Sequence, residues 1–546
     1  MLLLQPSNLS SNKIFFSVLG IITFIMFIGF RINIMDIDAA QYAKMSMQML
    51  ETGNWLQFYD NDVPYLDKPP LVFWTAGLSY MLFGVNEIAF RIPSFIFTIL
   101  AWWAVYQLCM LYYNEKTAKI ATILLACCQA SFLISHDCRT DTLLMGSVTM
   151  ALYGLMYYIE KQKIKYYIIG IFFISLALLA KGPIGLMVPA FGFLAQIIFK
   201  NDWKQFWNPL HLLALVIIGI MLAPMCIGLY QQYGNKGLRF YFWTQSFGRI
   251  TGESEWNNHA PVTFLFESLQ WALIPWTLCL YPALWNRIKR IFFKNENIPE
   301  WFSFWAFIIP LIALSSSKYQ LPHYIFVTLP LIAIFTADSI IKLSENKESI
   351  FKYLFNSQIV INVLLVLLGI TLAIFCFTVP SFNYVIIFVG LVMIAIIVVL
   401  GLQRNIYTYV IGFAITGVGI NFSLNSQFYP QLLQYQSFSK VGQYLEMHKI
   451  SPENFTILNL GTSHSLNFYY KKTAKVASNL QEISRVKPQY IFTNDAGLDS
   501  IKAKKWEFKT IEKYKKFHVT GLTINFLNPK TRDTETENQY LILLEK

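Results

Sequence analysis

The chain has 546 residues, of which 55% are hydrophobic, 16% aromatic and only 14% charged, with a formal net charge of +12 and a mean hydropathy of +0.45. A soluble chain carries about 25% charged residues, so an ordinary soluble globular protein is excluded. The charge deficit stops near Asn421, which reads as a polytopic, mostly α membrane protein with a soluble tail.

Crossing a ~30 Å hydrocarbon core takes about 17–25 apolar residues. Thirteen runs suggest spans, at 14–30, 92–113, 118–135, 143–159, 166–180, 184–199, 210–229, 263–285, 302–314, 321–341, 355–379, 384–402 and 406–422, the fifth and ninth being short. One Lys and no small-residue cleavage site precede or follow the first run closely, so it reads as a retained span rather than a signal peptide. With a cytoplasmic N-terminus, the short cytoplasmic turns carry about sixteen Lys and Arg, against about ten in the longer opposite loops. An odd number of spans then puts the tail outside.

Between the first two runs lies a polar loop, about 31–91. It contains Asp36-Ile37-Asp38-Ala39-Ala40-Gln41-Tyr42-Ala43 and then Asp67-Lys68-Pro69-Pro70-Leu71. Carboxylates at a bilayer interface are costly unless solvated or used. Further outward polar residues follow in chain order: His136, Asp137, Arg139 and Asp141 in the third-to-fourth turn, Lys181 before Gly182-Pro183, Arg249 and His259 in a second long loop (about 230–262), and Lys318, His323 and Tyr324. These clusters share one face, with almost none on the other, which suggests a single site. The seven Cys lie in or beside spans with no CxxC pair, so neither a disulfide framework nor a thiolate zinc site is expected.

The tail, 423–546, reads as a small α/β domain with β-rich runs at 455–460, 490–493, 519–526 and 540–544. Its seventeen Lys and Arg against eleven Asp and Glu supply half the net charge. Either this is an ordinary solvated basic domain, or its basic face meets anionic head groups or a phosphorylated substrate.

The mixture of outward groups suits sugar transfer by direct displacement. That reaction needs a carboxylate to take the proton of the incoming hydroxyl and cations to stabilise charge growing on a leaving phosphate. Plainer readings stand beside this one. Asp36 and Asp38 would cap a helix starting at Ala39, Lys68 would snorkel to head groups, Arg139 and Asp141 would form a structural ion pair, and Lys181 would close a helix end.

The run Asp38-Ala39-Ala40-Gln41-Tyr42-Ala43 resembles the Asp-Glu-x-Arg-Tyr-Ala motif of the aminoarabinose lipid A transferases. Those group with the protein O-mannosyltransferases among the GT-C glycosyltransferases that use polyprenyl-phosphate sugars. Asp67-Lys68-Pro69-Pro70-Leu71 is similar to their Glu-Lys-Pro-Pro-Leu, and Arg91-Ile92-Pro93-Ser94 to Arg-Leu-Pro-Ser. Arg139-Thr140-Asp141, Lys181-Gly182-Pro183 and the Ser317–Tyr324 stretch follow in the family's order. The resemblance covers about the first 330 residues and implies thirteen spans with an outward C-terminal domain.

It implies a catalytic Asp38, with Lys68 and Arg249 facing the carrier phosphate. Asp36, Asp67, Arg139, Asp141, Lys181, Lys318 and Tyr324 complete the expected binding set. This chain departs from the pattern at Gln41, where the family has Arg, at Asp67, where it has Glu, and at Ser246, where it has a metal-binding His. No cofactor is therefore required on this reading, with a divalent metal left open. The expectation is a multi-pass glycosyltransferase of the cytoplasmic (inner) membrane, taking sugar from a polyprenyl phosphate to an extracytoplasmic lipid, glycan or protein, with no nucleic-acid partner. The alternatives are a flippase for lipid-linked saccharides, which would favour internal repeats and midplane charges, and a non-catalytic scaffold.

Overall fold

The computed structural model describes residues 11–245, 248, 251, 258–293, 298–346, 349–403, 405–483 and 489–544. Among them, nine helices are long and apolar enough to cross a membrane, or ten if the bent pair Glu115–Cys127 and Gln129–Asp137 is one span. Helices Ile184–Lys200 and Phe302–Ser315 match two further runs but are shorter. The run at 263–285 is broken into Phe264–Ala272 and Thr277–Phe292. All thirteen apolar runs are thus mainly helical, while the count of thirteen full spans is not established.

The bundle packs through small residues, as expected where lipid offers no hydrophobic drive between helices. A Cβ on Gly154 would stand 2.4 Å from the Gly170 amide nitrogen, so helices Thr140–Lys161 and Ile164–Lys181 meet backbone to backbone. Gly146 likewise lets Thr140–Lys161 press on Phe97 of helix Glu87–Tyr112. The two breaks brace each other: the Gln129 amide donates to the Ile274 carbonyl (2.8 Å), and the Gln358 side chain donates to that of Pro275 (2.7 Å).

The opposite end of the bundle holds more charge than expected. Arg287 and Glu300 are fully buried and paired at 2.5 Å, Arg290 meets Asp338 at 2.6 Å, and the Tyr113 hydroxyl donates to Glu300 (2.7 Å). Asp338 lies fifteen residues beyond His323 along the Pro322–Glu345 segment, about 20 Å away at ~1.5 Å per residue. The expectation of almost no polar clusters on that face is corrected. Arg287 and Arg290 read as turn charges because their acidic partners are remote in sequence.

The first outer loop folds into helix Asp38–Thr52, a short hairpin of β1 (Tyr59–Asp60) and β2 (Val63–Pro64), and helix Leu71–Phe83. Arg91 fastens this unit to the bundle. It is 2% exposed and donates to four carbonyls: Phe30 (2.7 Å), Ile32 (2.6 Å), Asn33 (3.4 Å) and His136 (3.0 Å).

The C-terminal domain holds a five-stranded sheet of order β4-β3-β5-β7-β6, from β3 (Phe455–Leu458), β4 (Lys475–Ala477), β5 (Gln489–Asn494), β6 (Phe508–Lys516) and β7 (Glu537–Leu544). β4, β3 and β5 run parallel, and β7 and β6 continue antiparallel. The expected strand at 519–526 is corrected. Val519 and Phe526 are buried against Ile32, Phe377, Phe428 and Leu432, so this run docks the domain on the bundle. One edge strand is β6, whose charges at Lys509, Glu512, Lys513, Lys515 and Lys516 hid it among polar segments while guarding an open edge. The preceding helix, Ile406–Ser423, runs on through a π-turn and short helical turns to Tyr435.

Candidate active site

Asp36 and Asp38 are separated by one strained residue. Ile37 has φ 90° and ψ −125°, an outlier for a β-branched side chain that costs on the order of 1–3 kcal/mol. That turn sends the two carboxylates apart. Asp36 accepts from the Ser463 hydroxyl (2.9 and 3.0 Å) and the Ser465 amide (3.2 Å) of the C-terminal domain. Asp38 opens helix Asp38–Thr52, where the helix dipole favours an anion, and its Oδ2 meets Arg139 at 2.7 Å. No side-chain cap bond is made at this helix start, and the helix begins at Asp38 rather than Ala39.

Arg139 bridges two carboxylates, with its Nε 2.5 Å from Asp137. Burial would lower the guanidinium's pKa, but Asp137 and Asp38 outweigh it and raise it. Cys138, in the left-handed conformation (φ 37°), makes the turn that presents Arg139. The expected Arg139–Asp141 pairing is thus replaced by two separate partnerships. Asp141, in the first turn of Thr140–Lys161, pairs with Lys181, in the last turn of Ile164–Lys181, and lies 3.7 Å from His323 Nε2. The Lys181 ammonium also sits 4.2 Å above the Tyr324 ring. Both ions occupy the helix ends that their charges favour.

Lys68 is paired with Asp67 at 2.5 Å, and the Gln245 amide donates to the Asp67 carbonyl and to its Oδ1 (3.1 Å). Lys68, Pro69, Pro70, Tyr65, Tyr241 and Gln245 line a crevice of about 20 Å³ against helix Leu210–Tyr233. Burial above all raises the pKa values of the Tyr42 and Tyr65 phenols, and the negative charges of Asp38 and Asp67 add to it, so both stay protonated. Arg139 joins the first outer loop to the third-to-fourth turn, and Asp141 joins that turn to Lys181 and His323.

One expected member stands elsewhere. Lys318 is exposed, and its carbonyl accepts from the Asn258 amide (3.2 Å). Arg249 and Ser246 lie outside the described residues. Several members had no legible signal. Asp60 accepts from Gln41 (2.7 Å) and contacts His464 (2.9 Å), and Gln245 reaches Asp67 across 178 positions. Such separations leave no spacing to read.

Two crystal structures of ArnT from Cupriavidus metallidurans, one apo and one bound to undecaprenyl phosphate, superpose on 96% of this chain and 97% of theirs, with TM-scores of 0.71 and 0.72 at 15% and 16% identity. The fold is that of the GT-C glycosyltransferases. Within this GT-C frame, residues 67–227 match the family described as dolichyl-phosphate-mannose-protein mannosyltransferase. Relatives named undecaprenyl phosphate-alpha-4-amino-4-deoxy-L-arabinose arabinosyl transferase are similar too. That of Erwinia tasmaniensis is 24% identical over 58% of this chain and 57% of its own length. That of Shewanella sediminis is 24% identical over 62% of each. The chain spans about three-fifths of the length of these curated relatives. Among the described residues, no three His, Cys, Asp or Glu stand close enough to hold a metal ion.

Proposed function

We propose that this chain is an integral-membrane glycosyltransferase that moves a sugar from a polyprenyl phosphate to an acceptor hydroxyl outside the cytoplasmic membrane. The observation that carries the reading is Asp38: a carboxylate one-third exposed (32%), held by Arg139 through Oδ2 and so left with Oδ1 for a proton. The likeness to proteins named for undecaprenyl-phosphate sugar transfer supports it.

In the proposed reaction, the acceptor oxygen forms its bond to the sugar's anomeric carbon while Asp38 takes the hydroxyl proton on Oδ1. The bond from that carbon to the phosphate oxygen breaks, and its electron pair leaves with the phosphate. The carrier thereby changes from a singly charged diester to a monoester with a second negative charge. Lys68, with Arg249, offsets that charge, so no acid is needed at the leaving group. Arg139 orients Asp38, while Asp141, Lys181 and Tyr324 shape the pocket. Asp67 sets Lys68, Asp36 ties the loop to the C-terminal domain, and Lys318 borders the entrance. No cofactor enters the proposed chemistry, because the chain's own cations serve the leaving group.

The test is transfer of radiolabelled sugar from undecaprenyl phosphate into cell-envelope extract by reconstituted protein, with and without a chelator. Asp38→Asn is expected to lose at least 10²–10⁴-fold in rate with an unchanged melting temperature. Full activity in that variant refutes the Asp38 mechanism, and loss of transfer in chelator refutes the metal-free one.

The proposed topology has a cytoplasmic N-terminus and the domain 423–546 in the periplasm, beyond a membrane unit 1–422. A cysteine replacing the exposed Lys502 should react with an impermeant maleimide in intact spheroplasts, and labelling only after lysis reverses the orientation.

A further inference from the structure

Asp137 has no part in the proposed reaction, and the helix that carries it does not account for its place. It is the last residue of helix Gln129–Asp137, the end at which the helix dipole opposes an anion. Only 19% of its side chain is exposed. The turn that follows is held by other bonds. Arg91 Nε donates to the His136 carbonyl (3.0 Å), the Thr142 hydroxyl to the Ile134 carbonyl (3.0 Å), and the Thr142 amide to the Arg139 carbonyl (3.2 Å). What Asp137 does hold is one edge of a guanidinium. Arg139 Nε donates to its Oδ2 at 2.5 Å, while Arg139 Nη1 donates to Asp38 Oδ2 at 2.7 Å.

A guanidinium is a planar fork that favours clasping both oxygens of one carboxylate. Freed from Asp137, Arg139 would turn its Nε edge onto Asp38 and take Oδ1 along with Oδ2. Oδ1 is the oxygen on which the acceptor's proton is to land. Held at Nε by Asp137, Arg139 reaches Asp38 through Nη1. Charge points the same way. One cation between two carboxylates leaves the trio with a net negative charge, and a proton on Asp38 brings it to neutrality. An isolated Asp38–Arg139 pair is neutral, so the same proton would leave a net positive charge in a partly buried site, where charge is poorly screened. Tyr42 and Tyr65, the phenols beside Asp38, stay protonated and do not alter that balance.

We propose that Asp137 is a positioning residue for the catalytic base. It holds Arg139 by the Nε edge, so that Asp38 is oriented through Oδ2 while Oδ1 stays open to the acceptor hydroxyl. The proposal rests on the transferase reading of Asp38 and adds the side chain that keeps its second oxygen available.

The test compares full-length wild type, Asp137→Ala, Asp137→Asn and the double variant Asp137→Ala with Arg139→Gln, each reconstituted in lipid and checked by melting temperature. Transfer of radiolabelled sugar from undecaprenyl phosphate gives kcat and the carrier KM. Asp137→Ala should lose about tenfold or more in kcat, within the ~10²–10⁴-fold that a general base contributes, with the carrier KM unchanged. Asp137→Asn keeps an acceptor for Nε and should lose less; near to Asp in shape, it carries the comparison if Asp137→Ala lowers the melting temperature. Adding Arg139→Gln to Asp137→Ala should raise kcat, because the guanidinium that covers Oδ1 is gone. A double variant no faster than the single one marks Asp137 as structural and overturns the proposal. So does a wild-type kcat in both Asp137 variants, or a loss confined to KM.

A second readout needs no turnover. Carbodiimide with labelled glycine ethyl ester couples to accessible carboxyls, and mass spectrometry of the peptide containing Asp38 follows its modification. Asp38 should react more slowly in Asp137→Ala and recover in the double variant, and equal rates in all three proteins overturn the proposal. That labelling pattern in a wild type without transfer rejects the transferase reading and keeps the hold of Asp137 on Arg139. Transfer by the wild type with equal labelling rejects the hold and keeps the transferase.

Discussion

His464 Nε2 stands 2.9 Å from both carboxylate oxygens of Asp60, joining the C-terminal domain to the first outer loop across 404 positions of sequence. Asp60 also accepts from Gln41, one helical turn from Asp38. This carboxylate thus links the domain to the helix that carries Asp38.

Burial raises the pKa of Asp60, but the bonds from His464 and Gln41 outweigh it and hold the value below the ordinary one of about 3.9. A depressed carboxylate stabilises the docked state fully above its unfolded pKa, and that contribution is lost as pH falls through the folded value. Docking should therefore persist down to about pH 4 and weaken below it. Limited proteolysis of the C-terminal domain across pH 3–7 reads this directly. His464→Ala should move the onset of cleavage to higher pH, and an unmoved onset removes Asp60 from the linkage.

Lys68→Ala should lower kcat by about 10²–10³-fold, the usual cost of removing one group that stabilises developing charge. Gln245→Ala should have a smaller effect of the same kind, because Gln245 holds Asp67 and Asp67 holds Lys68. The reconstituted transfer assay separates the two terms. A change confined to KM for the carrier would mean that Lys68 binds the substrate and its transition state equally.

Arg91 predicts loss through position rather than chemistry. Arg91→Met leaves the carbonyls of Phe30, Ile32 and His136 without their donor, at about 1–3 kcal/mol for each that water cannot reach. It frees both segments that frame the Asp38–Arg139 pair. The expected result is a lower melting temperature in detergent together with lower kcat. A normal melting curve with lost activity would instead place Arg91 in the chemistry.

The apolar runs were legible because the bilayer fixes the length that a span must have, and nothing else produces so long a stretch without charge. Breaks in those runs were not, since a helix bent at Cys128 is as apolar as a straight one. Asp38, Lys68, Arg139, Asp141 and Lys181 were readable as charges that an interface would not otherwise tolerate. Their pairing was not, because Asp36 and Asp38 look equivalent until the backbone of Ile37 sends one to Ser463 and the other to Arg139. Arg91 was visible only as part of a motif, since its partners are carbonyls, and carbonyls are common to every residue. The 519–526 run read as a strand for a related reason: apolar content marks burial without saying against what.

The bonds from Gln436 to the Ile34 carbonyl, from the Asp36 amide to Gln436, and from Ser463 to the Asp36 carboxylate close over some four hundred residues of chain. During synthesis, the loop bearing Asp38 emerges some four hundred residues before the segments that hold it. At ~5–20 residues per second the interval is about 20–80 seconds. Throughout it the loop lacks its outer wall, and a nascent chain stalled before residue 436 would carry Asp36 without the side chains that bond it. The segment 436–463 thus completes a structure that the first outer loop begins, and the surroundings of Asp36 form long after the loop itself is made.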